Sequence, residues 1–186
     1  MHIAVLIIWG VFGVYWLLPT MRTRTQAAKR QASVIFRLLH ISIMTAGFVI
    51  LLYSPVGFLA QRFVPDGIVP KVLGMVVLFL GLGFTVWARV HLGQYWSESV
   101  QIKADHKLIK TGPYKIVRHP VYTGVLVACL GTALVMGRIN AWFAIVLILV
   151  SFLMKIWKEE KFLIEEFSQT YLQYKKEIKA LIPFIV

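Results

Sequence analysis

The chain has 186 residues, of which 59 % are hydrophobic and 15 % are charged. This balance excludes an ordinary water-soluble domain, because too few polar side chains remain to cover its surface. The formal net charge of +12 does not indicate nucleic-acid binding, since the basic residues lie in short segments between apolar blocks and form no continuous face. That arrangement is typical of charges that set membrane topology and contact anionic membrane lipids.

Five apolar blocks predict an all-α polytopic membrane protein with five transmembrane helices, because about 20 mostly apolar residues span a bilayer core of ~30 Å. The blocks are residues 3–18, 38–60, 72–92, 121–136 and 141–157. Between the second and third blocks, Pro65, Gly67 and Pro70 predict a link rich in turns. The last two blocks are joined only by residues 137–140, which predicts an antiparallel helical hairpin.

The basic residues predict the orientation. If the N-terminus lies outside, all but three of the 20 Lys and Arg residues fall on the cytosolic side, as the positive-inside rule requires; the exceptions are Arg62, Lys71 and Arg138. The C-terminus is then cytosolic. A compact chain without a targeting signal favours a bacterial inner membrane over the endoplasmic reticulum.

The C-terminal tail is charged but has a helical period. Apolar residues spaced three and four apart predict an amphipathic helix that lies on the membrane or folds over the preceding cytosolic loop. They are Leu163, Phe167, Tyr171, Tyr174, Ile178 and Leu181.

Polar residues suited to chemistry concentrate in the loop 93–122 and at the junction 155–160. The residue before a proline is pushed out of the helical region, so we expect His119 to be extended and a helix to begin at Pro120. At the junction, Lys155 and Glu159 are four residues apart and share a helix face. Because both segments lie on the same predicted side and close the same hairpin, they are expected to meet. The single cysteine, Cys129, is expected to be a small buried apolar side chain, and no Cys/His cluster predicts a metal site.

The ordered motifs resemble those of the isoprenylcysteine carboxyl methyltransferase family of membrane enzymes, and related phospholipid methyltransferases show a looser version. The match covers roughly residues 95–186. Its elements are His106-x-Leu-Ile, Gly112-Pro113-Tyr114, Arg118-His119-Pro120-x-Tyr122-x-Gly124, Glu159-Glu160, Tyr171-x-x-Tyr174 and Ile182-Pro183.

The resemblance implies an S-adenosylmethionine cleft between the loop and the last hairpin, closed by the tail. The positions that contact the cofactor in the family fall here on Gln101, His106, Lys107, Leu108, Ile109, Tyr114, His119, Pro120, Val121, Tyr122 and Glu159. The chain is thereby divided into three N-terminal transmembrane helices, 1–92, and a methyltransferase core, 93–186.

The resemblance also implies an O-methyltransferase whose lipophilic or prenylated substrate enters from the bilayer. Where the family has a substrate-binding arginine, this chain has Lys155. Lysine lacks the planar fork that binds a carboxylate through two bonds, so the acceptor is an isoprenylcysteine-like carboxylate or another acidic group on a lipid, such as a phenol or enol. We expect Lys155 or Arg118 to hold that group and Glu160 to orient either one.

Two other functions stay open. Membrane reductases of the sterol-reductase type carry a similar Arg-His-Pro-x-Tyr stretch and use NADPH, although they usually follow it with a glutamate where this chain has Val125. A non-catalytic helix-bundle module that has kept only the scaffold is the other alternative.

Overall fold

The computed structural model of the chain describes residues 1–18, 28–53, 57–93, 101–103 and 108–184, and only the backbone of 28–31 and 101–103. Within these ranges it has five α-helices: α1 (His2–Leu17), α2 (Val34–Leu52), α3 (Ile68–Leu92), α4 (Pro120–Met136) and α5 (Ile139–Glu177). Two short strands, β1 (Ala28–Gln31) and β2 (Gln101–Lys103), pair antiparallel. Single 3-10 turns occupy Gly57–Ala60 and Gly112–Lys115. The all-α class is confirmed, and the strand pair adds a small ribbon to it.

The helices have the apolar outer surface of a multi-pass membrane protein. Helices α2, α3 and α5 are long and apolar enough to cross a bilayer, whereas α1 and α4 are shorter apolar helices. Large aliphatic side chains point outward from the bundle, as Ile7 and Leu80 do with 60 % and 66 % of their surface exposed. Lipid, not water, is the solvent that such a surface suits. The number of five crossings stays a prediction.

Helices α3 and α4 pack backbone against backbone through glycine. A Cβ atom on Gly81 would lie 2.6 Å from the carbonyl oxygen of Gly124, and one on Gly74 would lie 2.7 Å from that of Gly131. Small residues permit this close approach, which replaces the missing hydrophobic drive between helices in lipid. The sequence predicts a packing role for both Gly81 and Gly83. It is confirmed for Gly81 and wrong for Gly83, which faces away from any neighbour.

Helix α2 runs antiparallel to α5 and is joined to it by polar contacts near both ends. At one end the Asn140 side chain donates to the carbonyl of Ile50. At the other, the His40 ring and the Ser151 hydroxyl are 2.7 Å apart. Polar pairs of this kind fix the register of two apolar helices that could otherwise slide.

Helix α1 is fixed at its C-terminal end by a buried arginine of α3. Arg89 donates to the carbonyl oxygens of Tyr15 at 3.0 Å and Leu18 at 2.8 Å. Those carbonyls belong to the last turn of α1, where no intrahelical donor exists for them. The cation thus satisfies and charge-stabilises the helix end.

Three predicted boundaries are wrong. Pro70 lies in the first turn of α3, not in a link, because a first-turn residue needs no N–H donor within the helix. Helix α2 covers 34–52, not 38–60. The fifth helix does not end at residue 157 but continues to Glu177, since no glycine or proline interrupts it. The left-handed backbone of Ser168 (φ 45°, ψ −121°) is its one break.

Candidate active site

The site begins at the turn that leads into α4. His119 lies just before the helix with φ −122° and ψ 61°, and α4 starts at Pro120 as predicted. The backbone is therefore non-helical but not fully extended. The His119 carbonyl accepts the N–H groups of Tyr122 and Thr123, both at 3.1 Å, as the carbonyl of an N-cap residue does.

Two acids of α5 face this turn. Nδ1 of His119 lies 3.5 Å from Oε2 of Glu159, and Nε2 lies 3.4 Å from Oε1 of Glu160. The Tyr122 hydroxyl donates to Oε1 of Glu159 at 2.6 Å. The loop and the junction therefore meet, as expected from the hairpin.

The Tyr122 ring connects this polar cluster to the apolar interior. It is stacked with the His119 ring at 5.6 Å and with Phe152 at 4.7 Å between centroids. Nζ of Lys155 lies 5.4 Å from its centroid, in the range of a cation–π contact. Lys155 and Glu159 thus share a helix face, as predicted, and both face Tyr122.

Arg118 is buried and fully engaged. Nε and Nη2 donate to Oε1 of Glu160 at 2.9 and 2.6 Å, and Nη1 donates to the carbonyls of Lys175 and Ile178. The other oxygen of Glu160 lies 2.6 Å from Nζ of Lys175. Glu160 forms a buried ion pair with Arg118, and the pair ties helix α5 to the turn before α4.

The tail folds over the loop and does not lie apart from it. The N–H groups of Arg118 and His119 donate to the carbonyls of Lys179 and Ala180 at 2.8 and 3.0 Å. The Thr123 hydroxyl donates to the carbonyl of Leu181 at 2.8 Å. These strand-like bonds close one side of the site.

The tail also brings an aromatic pair against the 3-10 turn. Tyr171 and Tyr174 of the predicted apolar stripe are buried, and the Tyr174 hydroxyl donates to the carbonyl of Tyr114. Burial, with a smaller contribution from the charge of Glu159, raises the pKa of Tyr114. Its phenol is therefore neutral at physiological pH.

The protonation of His119 is set by its two acidic neighbours. Burial on its own would lower the pKa of the imidazole, but the hydrogen bonds that it donates to Glu159 and Glu160, together with the charges of these acids, outweigh burial and raise the pKa above 6.5. The site is thus a compact group of alternating charges: Arg118, Glu160, His119 and Glu159.

An apolar cavity of about 780 Å³ adjoins the site between α1, α2, α4 and α5. Rings and aliphatic chains form most of its wall, among them Trp9, Phe12, Phe36, Phe48 and Phe152. Tyr122 and Lys155 line it where it meets the cluster, and Arg37 and His40 of α2 add polar groups. Its volume is that of a site for a small lipophilic ligand.

The structure brings together most of the residues that the sequence singled out. Pro120 is buried, and Val121 lines the cavity. Leu108 and Ile109 are half-buried. His106 and Lys107 lie outside the described residues, and Gln101 is described only as the backbone partner of Gln31 in the strand pair.

Sequence reasoning missed the cavity residues of α2 and their partner on α5. His40 and Ser151 lie inside apolar blocks, where a single polar residue gave no motif. A signal was present: Ser151 lies one helical turn before Lys155 and faces the same side of α5.

Comparison with known proteins identifies the family of the chain. The described fold is that of a multi-pass α-helical membrane protein with a polar cluster at one end of the bundle and an apolar cavity beside it. The model of the isoprenylcysteine carboxyl methyltransferase family matches residues 72–165. That is half of the chain, and the chain belongs to this family. The match begins within α3, further toward the N-terminus than the motifs at 95–186.

Similar proteins include protein-S-isoprenylcysteine O-methyltransferases of two yeasts. The protein of Saccharomyces cerevisiae is 38 % identical over 124 residues, which are 61 % of this chain and 49 % of the yeast protein. That of Schizosaccharomyces pombe is 36 % identical over 111 residues, 58 % of this chain and 47 % of the relative. The chain thus spans about half the length of these curated relatives.

A solved structure shares the fold. The structure of a eukaryotic intramembrane Ras methyltransferase, isoprenylcysteine carboxyl methyltransferase, superposes with a TM-score of 0.59. The likeness covers 84 % of this chain and 55 % of the other at 23 % sequence identity. At that identity it supports the helical architecture alone.

Proposed function

We propose that the chain is an integral membrane O-methyltransferase that uses S-adenosylmethionine and acts on a lipophilic acceptor at the cytosolic face. One observation carries this proposal: Tyr122 binds Glu159 in the polar cluster and also lines the apolar cavity beside Lys155. A site for a polar cofactor and a site for a lipophilic acceptor therefore share one residue, Tyr122.

The residues present fit this cofactor. Glu159 uses one oxygen for Tyr122 and the other for His119, and a carboxylate has about four lone-pair positions, so it keeps capacity to accept from hydroxyl or ammonium groups. Half-buried Leu108 and Ile109 and the ring of Tyr114 offer apolar and aromatic surface for a nucleobase. By resemblance, Gln101, His106 and Lys107 complete the set with Pro120 and Val121.

The cofactor supplies an electrophilic methyl group on a sulfonium, and the chain positions the two reactants and excludes water. We assign Lys155 to the acceptor's anionic group, because it lines the cavity. Arg118 and Glu160 are assigned as positioning residues, because the guanidinium is bonded to Glu160 and to two tail carbonyls. Excluding water strengthens the attraction between an anionic acceptor and a cationic donor.

The acceptor is an isoprenylcysteine-like carboxylate or another acidic group on a lipid, entering from the bilayer. The cavity supports this class, since its wall is apolar and its polar end carries Lys155 and Arg37. Among the described lining residues there is no acid to repel an anion.

Cofactor titration in detergent tests the proposal. The wild-type protein should bind S-adenosylmethionine, and His119→Ala and Glu159→Gln should each weaken binding by roughly 10- to 100-fold, the loss of one hydrogen bond to a charged group. Glu177→Gln, an exposed acid on the same helix, is the matched control. Binding of NADPH without S-adenosylmethionine would favour a reductase, and binding of neither would favour a non-catalytic module.

We further propose that the N-terminus lies outside and the C-terminus in the cytosol, with a bacterial inner membrane as the expected location. The strand pair supports placing the segments that contain residues 28–31 and 101–103 on the same side of the membrane, and the positive-inside rule makes that side cytosolic. Arg62 and Gly137 meet at the opposite end of the bundle. With Cys129 replaced by alanine, an impermeant maleimide added outside should label Asp66→Cys and spare Lys176→Cys; the reverse pattern would refute the orientation.

A further inference from the structure

A histidine and a serine that are not part of the polar cluster form a bonded pair beside the cavity. His40 of α2 lines the cavity, and its Nδ1 lies 2.7 Å from Oγ of Ser151 on α5. The same hydroxyl donates to the carbonyl oxygen of His40 at 3.2 Å. His40 belongs to residues 1–71, which the family model does not match.

The two contacts can both be hydrogen bonds at the same time in only one tautomer of His40. Ser151 has one hydroxyl hydrogen, which the carbonyl of His40 receives. The short contact to Nδ1 then requires that Nδ1 carry the hydrogen and donate it to Oγ. In the neutral ring the other nitrogen, Nε2, consequently holds a lone pair.

His40 lies among two cations, one acid and one phenol. The charged and titratable groups near His40 are Arg37, one turn earlier on α2, Lys155 and Glu159 on α5, and Tyr122 on α4. Lys155 is one turn from Ser151 and lines the same cavity. A second positive charge on His40 would be placed beside it in a medium of low dielectric constant, which is costly.

We propose that Nε2 of His40 accepts the hydroxyl hydrogen of a lipophilic phenol or enol bound in the cavity, and takes up its proton when the oxygen is methylated. A carboxylate is ionised at neutral pH and would turn its lone pairs toward that of Nε2. A phenol is still protonated at neutral pH and can donate its hydroxyl hydrogen to Nε2 in a hydrogen bond. When the proton moves to Nε2, Lys155 stabilises the phenolate. This inference rests on the proposed function and narrows its acceptor from any acidic lipid group to a phenol or enol.

The transfer balances as a displacement with base catalysis. The acceptor O–H bond breaks toward Nε2 while its electron pair forms the new O–CH3 bond. The cofactor, held by Glu159 and His119, would supply the methyl group, keep the electrons of its S–CH3 bond on sulfur and leave as S-adenosylhomocysteine. The His40 imidazolium then returns the proton to water. Ser151 acts through His40 and is a positioning residue.

The test uses the cofactor-free protein in detergent and a long-chain 2-alkyl-4-nitrophenol, whose absorbance reports ionisation. In the wild type the bound probe should ionise at a lower pH than in His40→Asn, and its Kd should rise by about 10-fold in the variant for the lost hydrogen bond. Ser151→Ala should shift the ionisation in the same direction by a smaller amount. The control variant is His2→Asn. Because His2 bonds the carbonyl of Leu52 at the far end of α2, its replacement should leave both the ionisation and the Kd of the probe unchanged.

The corresponding alkyl nitrophenyl methyl ether, which has no hydroxyl, is the matched ligand. If His40→Asn weakens the ether as much as the phenol, His40 only packs and the proposal is overturned. Identical ionisation of the bound phenol in wild type and His40→Asn also overturns it. If His40→Asn does not fold, the proposal is overturned when the bound phenol ionises at the same pH in Ser151→Ala as in the wild type. Since no S-adenosylmethionine is present, failure of this test is separate from failure of cofactor binding.

Discussion

The Tyr122 hydroxyl lies 2.6 Å from Oε1 of Glu159 and donates to it. This bond joins the first turn of α4 to α5 across the hairpin. It also places a ring that lines the lipid cavity against the acid assigned to the cofactor. The proposed reaction depends on this juxtaposition, because a water-soluble cofactor and a lipid acceptor otherwise occupy different phases.

Removal of the hydroxyl isolates that bond. Tyr122→Phe keeps the stacking on His119 and Phe152 but leaves Oε1 of Glu159 without its tyrosine donor, which costs about 1.5–3 kcal/mol for a bond to a charged group. We expect a lower melting temperature and roughly 10-fold weaker cofactor binding, both followed in detergent. Tyr53→Phe, at a 63 % exposed tyrosine, is the control. Unaltered binding in Tyr122→Phe would remove Glu159 from the cofactor site.

The buried pair of Arg118 and Glu160 should control docking of the tail. Breaking a buried ion pair by removing one partner costs about 3–5 kcal/mol, so Arg118→Gln and Glu160→Gln should each lower the melting temperature. Each should also speed tryptic cleavage at Lys175 and Lys179, because the guanidinium holds the carbonyls of this segment.

The loss of unfolding free energy in the double variant should be much smaller than the sum of the losses in the two single variants, since the partners share one interaction. Additive losses, or unchanged proteolysis, would show that the tail docks independently of this pair. Lys175, whose side chain is 45 % exposed, contributes little because solvent screens it.

The raised pKa of His119 predicts how stability changes with pH. A group whose pKa is higher in the folded than in the unfolded state stabilises most below its unfolded value, near 6.5, and that stabilisation is lost as the pH rises through the folded value. Melting temperatures measured from below pH 6.5 upward should therefore fall. His119→Asn should flatten that fall, and an equally steep fall in the variant would assign the titration to another group.

The glycine contacts between α3 and α4 predict a contrast between two neighbouring positions. Gly81→Ala places a methyl group 2.6 Å from the Gly124 carbonyl, and such overpacking costs about 1–3 kcal/mol. Gly83→Ala meets no atom within 4 Å and should leave the melting temperature nearly unchanged. Equal effects of the two substitutions would mean that the helices do not approach as described.

The sequence was informative where the local chemistry admits few structures. Pro120 after His119 specifies a helix start, and the apolar stripe that includes Tyr171 and Tyr174 specifies which face of the tail is buried. The hairpin follows from a link of four residues, and from it follows the meeting of His119 with Glu159.

It was less informative where the outcome depends on tertiary contacts. Nothing local distinguishes Gly81, where an added Cβ atom would meet Gly124, from Gly83, where it would meet no atom within 4 Å. The break at Ser168 has no glycine or proline to mark it. The cavity is formed by four helices that are distant in sequence, so the roles of Arg37 and His40 appear only when α2 is placed against α5.

Methyl transfer itself tests the central claim most directly. Purified protein in proteoliposomes, given S-adenosylmethionine with a labelled methyl group, is offered S-farnesylcysteine and a long-chain alkylphenol in separate reactions. We predict that label enters the lipid extract of at least one reaction with the wild type and that Glu159→Gln lowers the rate by at least ~10-fold. Transfer by Glu159→Gln at the wild-type rate, or no transfer to either acceptor by a wild-type protein that binds the cofactor, would contradict the account.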